Sequence, residues 1–316
     1  MEPIGDLRKI TPIAMSEQQA SDFQTRGFIV LEAFLDRSEL DRLLAAVDEV
    51  AAMVQREHGL GPNDPFAIRN ALARHEAFLD LIDDPRMLPL VVDAIGWNIQ
   101  IRTTHLDYRP PYPEHLGGAR LDEASSYRNL LWHPDLAGTY LFEAPSLDGR
   151  IPFMEVKAFY VLSDLREPDS GNLWLVPGSH LRKPQELRDN QRHVSAHEAV
   201  ELKLPPGAAV LWRTATWHRV GPNLSGTTRK VLHVGYHYRW LRPTDYIEQD
   251  PALLVRSSPI RRQLLGALAA GCDPLGDESD LHPSSQYWLT TNWDHVPLRA
   301  WAERQAGDRQ LTLEPL

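Results

Sequence analysis

A histidine and an aspartate stand two positions apart in the run "NLLWHPDL", residues 129–136. In a strand, residues two apart point to the same side, so the His133 imidazole and the Asp135 carboxylate would project together. With a second histidine they would form a two-histidine, one-carboxylate set, which holds Fe(II) and leaves three coordination positions open. The alternative is a turn, because proline and aspartate are good turn formers. His105 and Asp107 in "THLDY" repeat the spacing.

The second histidine must come from another element, and residues 211–240 offer His218, His233 and His237. His218 ends a short run after a predicted strand and precedes a Gly-Pro-Asn turn. On the next predicted strand, Arg229 and His233 share a face when residues are counted by twos. Arg229 either faces solvent in an ordinary salt bridge, the commoner case, or lies in an inner pocket that needs an anion. A guanidinium in such a pocket could grip a carboxylate with two hydrogen bonds.

Two further segments carry polar residues within apolar runs. The run "GNLWLVPGSH", residues 171–180, predicts a strand and a Pro-Gly turn, and we expect His180 to orient that turn rather than to bind a metal. In "FMEVKAFYVL", Glu155 and Lys157 interrupt an apolar strand. We expect both to face solvent at a sheet edge.

The elements that must position these residues change in type near residue 98. Before it the pattern is helical: Ser16 and Asp36 begin capping boxes, and Gly59 and Gly96 stop helical runs. Residues 98–240 consist of short β-rich runs separated by Gly, Pro and Asn, which favours a jelly-roll or barrel decorated with helices. With no repeat or linker, we predict one domain, 1–316. It comprises a helical preface (1–97), the β core (98–240) and a C-terminal helical extension (241–316).

Composition excludes several classes of protein. The 316 residues are 42% hydrophobic, enough for a sizeable core, and 33 Lys+Arg against 43 Asp+Glu give a formal charge of −10. Such an acidic chain is a poor candidate for binding the phosphate backbone of nucleic acids. One cysteine allows no intrachain disulfide. The first residues lack the apolar segment of a signal peptide, and no run suits a membrane span, so we expect a cytoplasmic protein without a membrane partner.

The ordered set "WHPD", "GNLWLVPGSHLR", "WHRVGPNLS" and "TRK" resembles the phytanoyl-CoA dioxygenase family of Fe(II)/2-oxoglutarate-dependent oxygenases, over roughly residues 16–240. Members show His-x-Asp, a Pro-Gly-Ser-His turn and a distal histidine followed eleven residues later by arginine. The resemblance implies a double-stranded β-helix, that is, a jelly-roll or cupin-like core. It implies His133, Asp135 and His218 as catalytic iron ligands and Arg229 as the partner of the distal carboxylate of 2-oxoglutarate. It places no ligand at His105.

The resemblance also implies the chemistry. The cofactors would be Fe(II), the co-substrate 2-oxoglutarate and O2, and the enzyme would oxidise an unactivated C–H bond while releasing succinate and CO2. Asp135 favours hydroxylation, desaturation or ring formation over halogenation, because related halogenases replace this carboxylate with a small residue. One position departs from many members, which carry Ser or Thr where this chain has Val220. The distal carboxylate then needs another hydroxyl or none.

The remaining site residues are weaker candidates. Asn129 and Thr104 are expected to contact 2-oxoglutarate. The long segment 108–151 is expected to form a lid whose aromatic residues either close over the substrate or only pack the loop. The candidate substrate contacts in and beside it are Tyr112, Trp132, Tyr140 and Phe142.

The partner is expected to be a small-molecule substrate. No polybasic cluster suits coenzyme A phosphates, which favours a small metabolite or natural-product intermediate over an acyl-CoA. Three alternatives stay open: an acyl-CoA hydroxylase of the same family, and a metal-dependent cupin-like enzyme or a binding protein that does not use 2-oxoglutarate. The sequence also leaves a homodimer open.

Overall fold

The computed structural model describes residues 13–112, 132–135, 153–183, 194, 197–267 and 296–306. Within these ranges the α-helices are α1 (Glu17–Thr25), α2 (Arg37–His58), α3 (Glu76–Leu79), α4 (Met87–Ile95), α5 (Pro251–Val255), α6 (Pro259–Leu264) and α7 (Pro297–Ala306). The strands are β1 (Phe28–Leu31), β2 (Phe66–Arg69), β3 (Ile99–Arg109), β4 (Glu155–Val161), β5 (Leu173–Leu175), β6 (Val200–Leu202), β7 (Ala209–Arg213), β8 (His218–Val220) and β9 (Arg229–Tyr238). No helix in the described ranges is both long and apolar enough to cross a membrane.

Helices α1 and α2 begin where their capping residues predict. Ser16 accepts a hydrogen bond from the Gln19 backbone and starts α1. Asp36 and Glu39 form the same reciprocal pair at the start of α2. Gly59 ends α2 with φ of 65°, a left-handed conformation that glycine adopts without steric cost. Both predicted capping boxes are therefore present.

The strands form two antiparallel sheets, one of six strands in the order β1-β7-β4-β9-β3-β2 and one of three in the order β6-β5-β8. Strands β1 and β2, from the predicted preface, lie at the edges of the larger sheet. An apolar cluster joins the two sheets: Phe159, Val210 and Val231 of the large sheet pack in it with Leu173 and Leu175 of the small one. The architecture is the predicted one, mostly β with flanking helices, and the two sheets do not close into a barrel.

Strand β9 shows how the large sheet divides apolar packing from the candidate site. Leu232, Val234 and Tyr236 pack with α2 and α4 in the main core, on the helix side of the sheet. Val231 packs in the cluster between the sheets. Because side chains alternate along a strand, Arg229 and His233 lie on the same side as Val231. The inner face of β9 therefore presents both residues to the space between the sheets.

The expectation for Glu155 and Lys157 was wrong. They lie on β4, which pairs with β7 on one side and β9 on the other, so β4 is not a sheet edge. Glu155 is 1% exposed and Lys157 is 5% exposed. Each is neutralised where it is buried, Glu155 by Arg102 and Lys157 by Asp135. The polar interruption of this strand marks buried ion pairs, not a solvent-facing edge.

Much of the predicted lid lies outside the described residues. Residues 113–131 and 136–152 fall there, and with them Asn129, Tyr140 and Phe142. The roles expected of these three residues, and of the segment as a lid, stay predictions.

Candidate active site

Backbone hydrogen bonds bring the predicted metal-ligand set together. His133 and His218 form an isolated antiparallel bridge in which each amide donates to the other's carbonyl over 2.9 Å. The Asp135 amide donates to the Thr214 carbonyl over 2.8 Å. As a result, the candidate ligand atoms of His133, Asp135 and His218 lie within 4.8 Å of one another. One metal ion could contact all three.

The protonation of His218 suits a metal ligand. Its Nδ1 lies 2.9 Å from the carbonyl oxygen of Thr216, which can only accept, so Nδ1 carries the proton and donates it. The Nε2 lone pair is then free, and Nε2 lies 3.8 Å from Oδ2 of Asp135. Burial, reinforced by the nearby His133 ring, lowers the pKa of His218 to about 3, so the ring is neutral near pH 7.

Asp135 provides an ionised carboxylate. Burial by itself would raise its pKa, but the Lys157 ammonium, followed by the rings of His218 and His133, outweighs burial and holds the pKa well below its usual range. Lys157 donates a hydrogen bond to Oδ2, the same oxygen that faces His218 Nε2. Two imidazoles and a carboxylate are the donor set of non-haem iron sites, so these residues fit Fe(II).

A second group of potential ligands consists of His105, Asp107 and His233. The rings of His105 and His233 are stacked with centroids 3.9 Å apart. The two oxygens of Asp107 accept from Arg229 over 2.7 Å and from Arg109 over 3.2 Å. Burial would raise the pKa of Asp107, but the two guanidinium groups outweigh it and lower the pKa. Because both carboxylate oxygens are already paired with cations, this group is the poorer metal site.

Arg229 lies in an inner pocket, not at the surface, since it is 1% exposed. Its Nη1 donates to Asp107, whereas Nε and Nη2 have no hydrogen-bond partner within the described part of the chain. These two atoms form one edge of the guanidinium, which matches the two oxygens of a carboxylate. A Cβ built on Gly171 would lie 2.3 Å from Arg229 Cδ, so this glycine leaves room for the side chain. The unsatisfied edge fits the distal carboxylate of 2-oxoglutarate.

The metal-ligand set and the second histidine group line one cavity of about 360 Å³. Strands of both sheets contribute to its wall. From the large sheet come Lys157, Trp212 and His233, and from the small sheet come Leu173 and Val220. The cavity therefore runs from the metal-ligand set to the neighbourhood of Asp107, which holds Arg229.

Three other predicted site residues, Thr104, Trp132 and Tyr112, are not among the residues that line this cavity. The Thr104 hydroxyl accepts a hydrogen bond from the Leu72 amide over 3.3 Å. Since His105 lines the cavity, its neighbour Thr104 points to the opposite face of β3. Trp132 packs with Val176 and Trp217 in a small apolar cluster. Tyr112 is held through its backbone amide, which donates to the carbonyl of Asn223 over 2.8 Å.

The sequence analysis did not predict that Lys157 and His233 line this cavity. The signal for Lys157 was present, since a charged residue inside an otherwise apolar strand is either exposed or paired. For His233, the signal was its position on the same strand face as Arg229. Neither signal shows which residue the side chain would contact, because the contacting residue lies in a distant segment of the chain.

Comparison with known proteins shows which protein family the sequence matches. The family model described as "Phytanoyl-CoA dioxygenase (PhyH)" matches residues 23–231. The ectoine dioxygenase of Bordetella bronchiseptica is 24% identical over 173 residues, which are 53% of this chain and 50% of that protein. A probable alpha-ketoglutarate-dependent hypophosphite dioxygenase of Stutzerimonas stutzeri is 22% identical over 248 residues, 70% of this chain and 78% of that protein. The chain spans about half the length of the ectoine dioxygenases from the two Bordetella species that it matches.

Solved structures with similar folds include EctD from S. alaskensis with 2-oxoglutarate and 5-hydroxyectoine. It matches with a TM-score of 0.55 and 20% identity over 73% of this chain and 78% of that chain. HygX from Streptomyces hygroscopicus with nickel and 2-oxoglutarate bound matches with a TM-score of 0.54 and 17% identity, over 75% of this chain and 91% of that chain. These similarities confirm the predicted jelly-roll fold class.

Proposed function

The chain belongs to the phytanoyl-CoA dioxygenase family, and on this premise we propose that it is an Fe(II)- and 2-oxoglutarate-dependent oxygenase. It oxidises an unactivated C–H bond of a small metabolite or natural-product intermediate and releases succinate and CO2. One observation supports this proposal most directly. The ligand atoms of His133, Asp135 and His218 converge within 4.8 Å, in the cavity whose wall includes the carboxylate partner of Arg229.

Each residue has a separate task in this proposal. His133, Asp135 and His218 hold the iron, with Nε2 of His218 free because Nδ1 donates to a backbone carbonyl. Arg229 anchors the distal carboxylate through its unsatisfied edge. Bound iron, with 2-oxoglutarate and O2, supplies the oxidising chemistry. The protein fixes the positions of the reactants and excludes bulk water, since Trp212 and Leu173 of the cavity wall are buried apolar side chains.

The class of reaction follows from Asp135. A carboxylate at this position occupies the coordination site that a halide would need, so we propose hydroxylation, desaturation or ring formation as the outcome. The substrate is proposed to be small, because Lys157 is the one lysine among the described residues of the cavity wall, and it is paired with Asp135. These residues therefore include no lysine cluster suited to the phosphates of coenzyme A. The named relatives act on small molecules as different as ectoine and hypophosphite, so they support the size of the substrate and not its identity.

We also propose that residues 1–316 form one catalytic domain with the 108–151 segment as its lid. The strands from the preface and from the core belong to one sheet, which supports this division. A homodimer stays a prediction.

The test is succinate release from 2-oxoglutarate by the Fe(II)-loaded protein with O2, across a panel of small candidate substrates. His218→Ala and Asp135→Ala should lose both iron and succinate release, since each removes one of only three protein ligands. His105→Ala is the matched control and should keep its iron, because the carboxylate beside it is already paired with two arginines. If His105→Ala loses iron while His218→Ala retains it, the ligand assignment is wrong. Substrate turnover without succinate would favour a cupin-like enzyme that does not use 2-oxoglutarate.

A further inference from the structure

His233 has no role in the mechanism proposed above, although it is buried in the wall of the same cavity. Its side chain is 6% exposed, and neither Nδ1 nor Nε2 finds a hydrogen-bond partner among the described residues. Buried polar groups in native proteins are almost always hydrogen-bonded, and an unsatisfied one calls for an explanation. A ligand that enters the cavity and accepts a hydrogen bond would provide it.

The position of His233 connects the two ends of the proposed co-substrate site. On one side, the Trp212 ring lies 6.0 Å from the His233 ring and 5.8 Å from the His218 ring. On the other side, the Phe159 ring lies 4.9 Å from His233 and 5.7 Å from the Arg229 guanidinium. His233 is therefore between the metal-ligand set and Arg229. A molecule that reaches from the metal to Arg229 along this part of the cavity comes close to this ring.

The cavity wall that the small sheet forms opposite His233 offers a ligand few hydrogen-bonding groups. Val220 and Leu173, which pair across β8 and β5, line the cavity from the small sheet with apolar side chains. Among the described strand residues of the cavity wall, the hydrogen-bond donors for a ligand in this stretch come from the large sheet. There, Nε1 of Trp212 is also buried without a partner in the described ranges. The inner face of the large sheet thus offers two unsatisfied side chains to one short length of the cavity.

We propose that His233 is a further co-substrate-binding residue, whose neutral ring donates a hydrogen bond to 2-oxoglutarate on its path from the metal to Arg229. The inference rests on the proposed function. Burial, reinforced by His105 and Lys157, keeps the pKa of His233 well below its usual range, so the ring carries one N–H. A carboxylate oxygen is the acceptor chemistry that such a donor fits.

A second metal ion is the rival occupant, since His233 belongs to a group with His105 and Asp107 that could hold one. The positively charged side chains around this group disfavour the binding of a second metal ion. Arg229 and Arg109 pair with both oxygens of Asp107, and Arg69 lies 3.0 Å from Nδ1 of His105. A dication would have to displace these partners, whereas an anionic ligand would be attracted by them.

The experiment measures 2-oxoglutarate binding by calorimetry to the Fe(II)-loaded protein without O2. His233→Phe keeps the ring shape and removes both nitrogens. Its dissociation constant for 2-oxoglutarate should rise about 10- to 100-fold, the effect of losing a hydrogen bond to a charged group. Iron affinity should stay within about twofold of the wild type, because His233 is not among the three proposed ligands. His233→Gln restores a donor and should bind 2-oxoglutarate more tightly than His233→Phe.

His237→Phe is the matched control. His237 lies on the same face of β9, is buried and has Nε2 without a partner in the described part of the chain, but it is not part of the cavity wall. This variant should bind 2-oxoglutarate as the wild type does. A wild-type dissociation constant in His233→Phe, or equal losses in His233→Phe and His233→Gln, would overturn the inference and leave the proposed function standing. A wild-type protein that binds iron but not 2-oxoglutarate would overturn both. If the wild type binds two equivalents of metal and His233→Phe binds one, His233 belongs to a second metal site and the inference is wrong.

Discussion

Lys157→Met tests how the site keeps its charges buried before any metal enters. The Lys157 ammonium donates to Oδ2 of Asp135, the carboxylate oxygen that faces His218. In the metal-free protein, Lys157 therefore supplies the positive charge that a metal would supply. Methionine has a similar length and fills the same apolar space beside Trp212, so the substitution removes the charge with little change in packing.

The expected cost follows from the burial of the pair. Truncating one partner of a buried ion pair costs about 3–5 kcal/mol. The Asp135 side chain is 20% exposed, which brings the estimate to the lower end, about 3 kcal/mol. With an unfolding entropy of about 2.1 cal/mol/K per residue, such a loss lowers the melting temperature of this 316-residue chain by about 4–5 °C. A bound metal ion would take over the neutralisation of Asp135, so the metal-loaded variant should lose less. If the losses in unfolding free energy without and with metal differ by about 2 kcal/mol, the metal affinity of Lys157→Met is about 30-fold higher than that of the wild type.

The assay is the melting temperature with a chelator and with saturating metal, together with the metal dissociation constant. Lys230→Met is the control, because Lys230 on neighbouring β9 pairs with Asp48 and the two side chains are 18% and 58% exposed. Breaking this outer pair should cost at most about 1 kcal/mol, equally with and without metal. Weaker metal binding by Lys157→Met would refute the reasoning. Lys157 would then orient Asp135 for the metal and not compete with it.

Two further predictions concern Arg229. Arg229→Ala should raise the 2-oxoglutarate concentration needed for half-maximal succinate release by about 100-fold or more, since a broken buried ion pair costs about 3–5 kcal/mol. Arg229→Lys should recover only part of this loss because it keeps the charge without the two-pronged geometry, and an unchanged requirement in Arg229→Ala would favour an enzyme that does not use 2-oxoglutarate. Gly171→Ala should weaken 2-oxoglutarate binding in calorimetry without weakening metal binding, because the new Cβ would lie 2.3 Å from Arg229 Cδ at a backbone φ of +80°. Gly226→Ala, whose Cβ would meet nothing within 4 Å, should bind both ligands as the wild type does.

Local sequence signals predicted the elements well. Capping residues set the starts of α1 and α2, and short β-rich runs separated by Gly, Pro and Asn located strands of the β core. The order of the motifs also selected His133, Asp135 and His218, which the fold brings within 4.8 Å. The predicted elements and the proximity of these three residues share a cause, because each depends on residues that are close in the chain or on the order of segments, while the ligand roles stay a proposal.

The failures concern partners that come from distant strands. Whether β4 is an edge or a central strand depends on its pairing with β7 and β9, which no local pattern specifies. Lys157 was therefore placed at the surface although Asp135 neutralises it in the interior. The two His-x-Asp sequences show the same limitation. Their spacing alone does not separate them, whereas in the structure Arg229 and Arg109 pair with Asp107 and Lys157 pairs with Asp135.

The charges of the cavity lie in pairs that join different segments of the chain. Asp107 of β3 pairs with Arg229 of β9, and Lys157 of β4 pairs with Asp135, whose own segment is bridged to β8 of the small sheet. Because an unpaired buried charge is costly, each member of these pairs offsets the cost of burying the other. The proposed ligands would enter by taking over the same groups: a cation at Asp135 and a carboxylate at Arg229. 2-Oxoglutarate between them would then connect the small sheet to the large one, so its binding should stabilise the packing of the two sheets as well as complete the metal site.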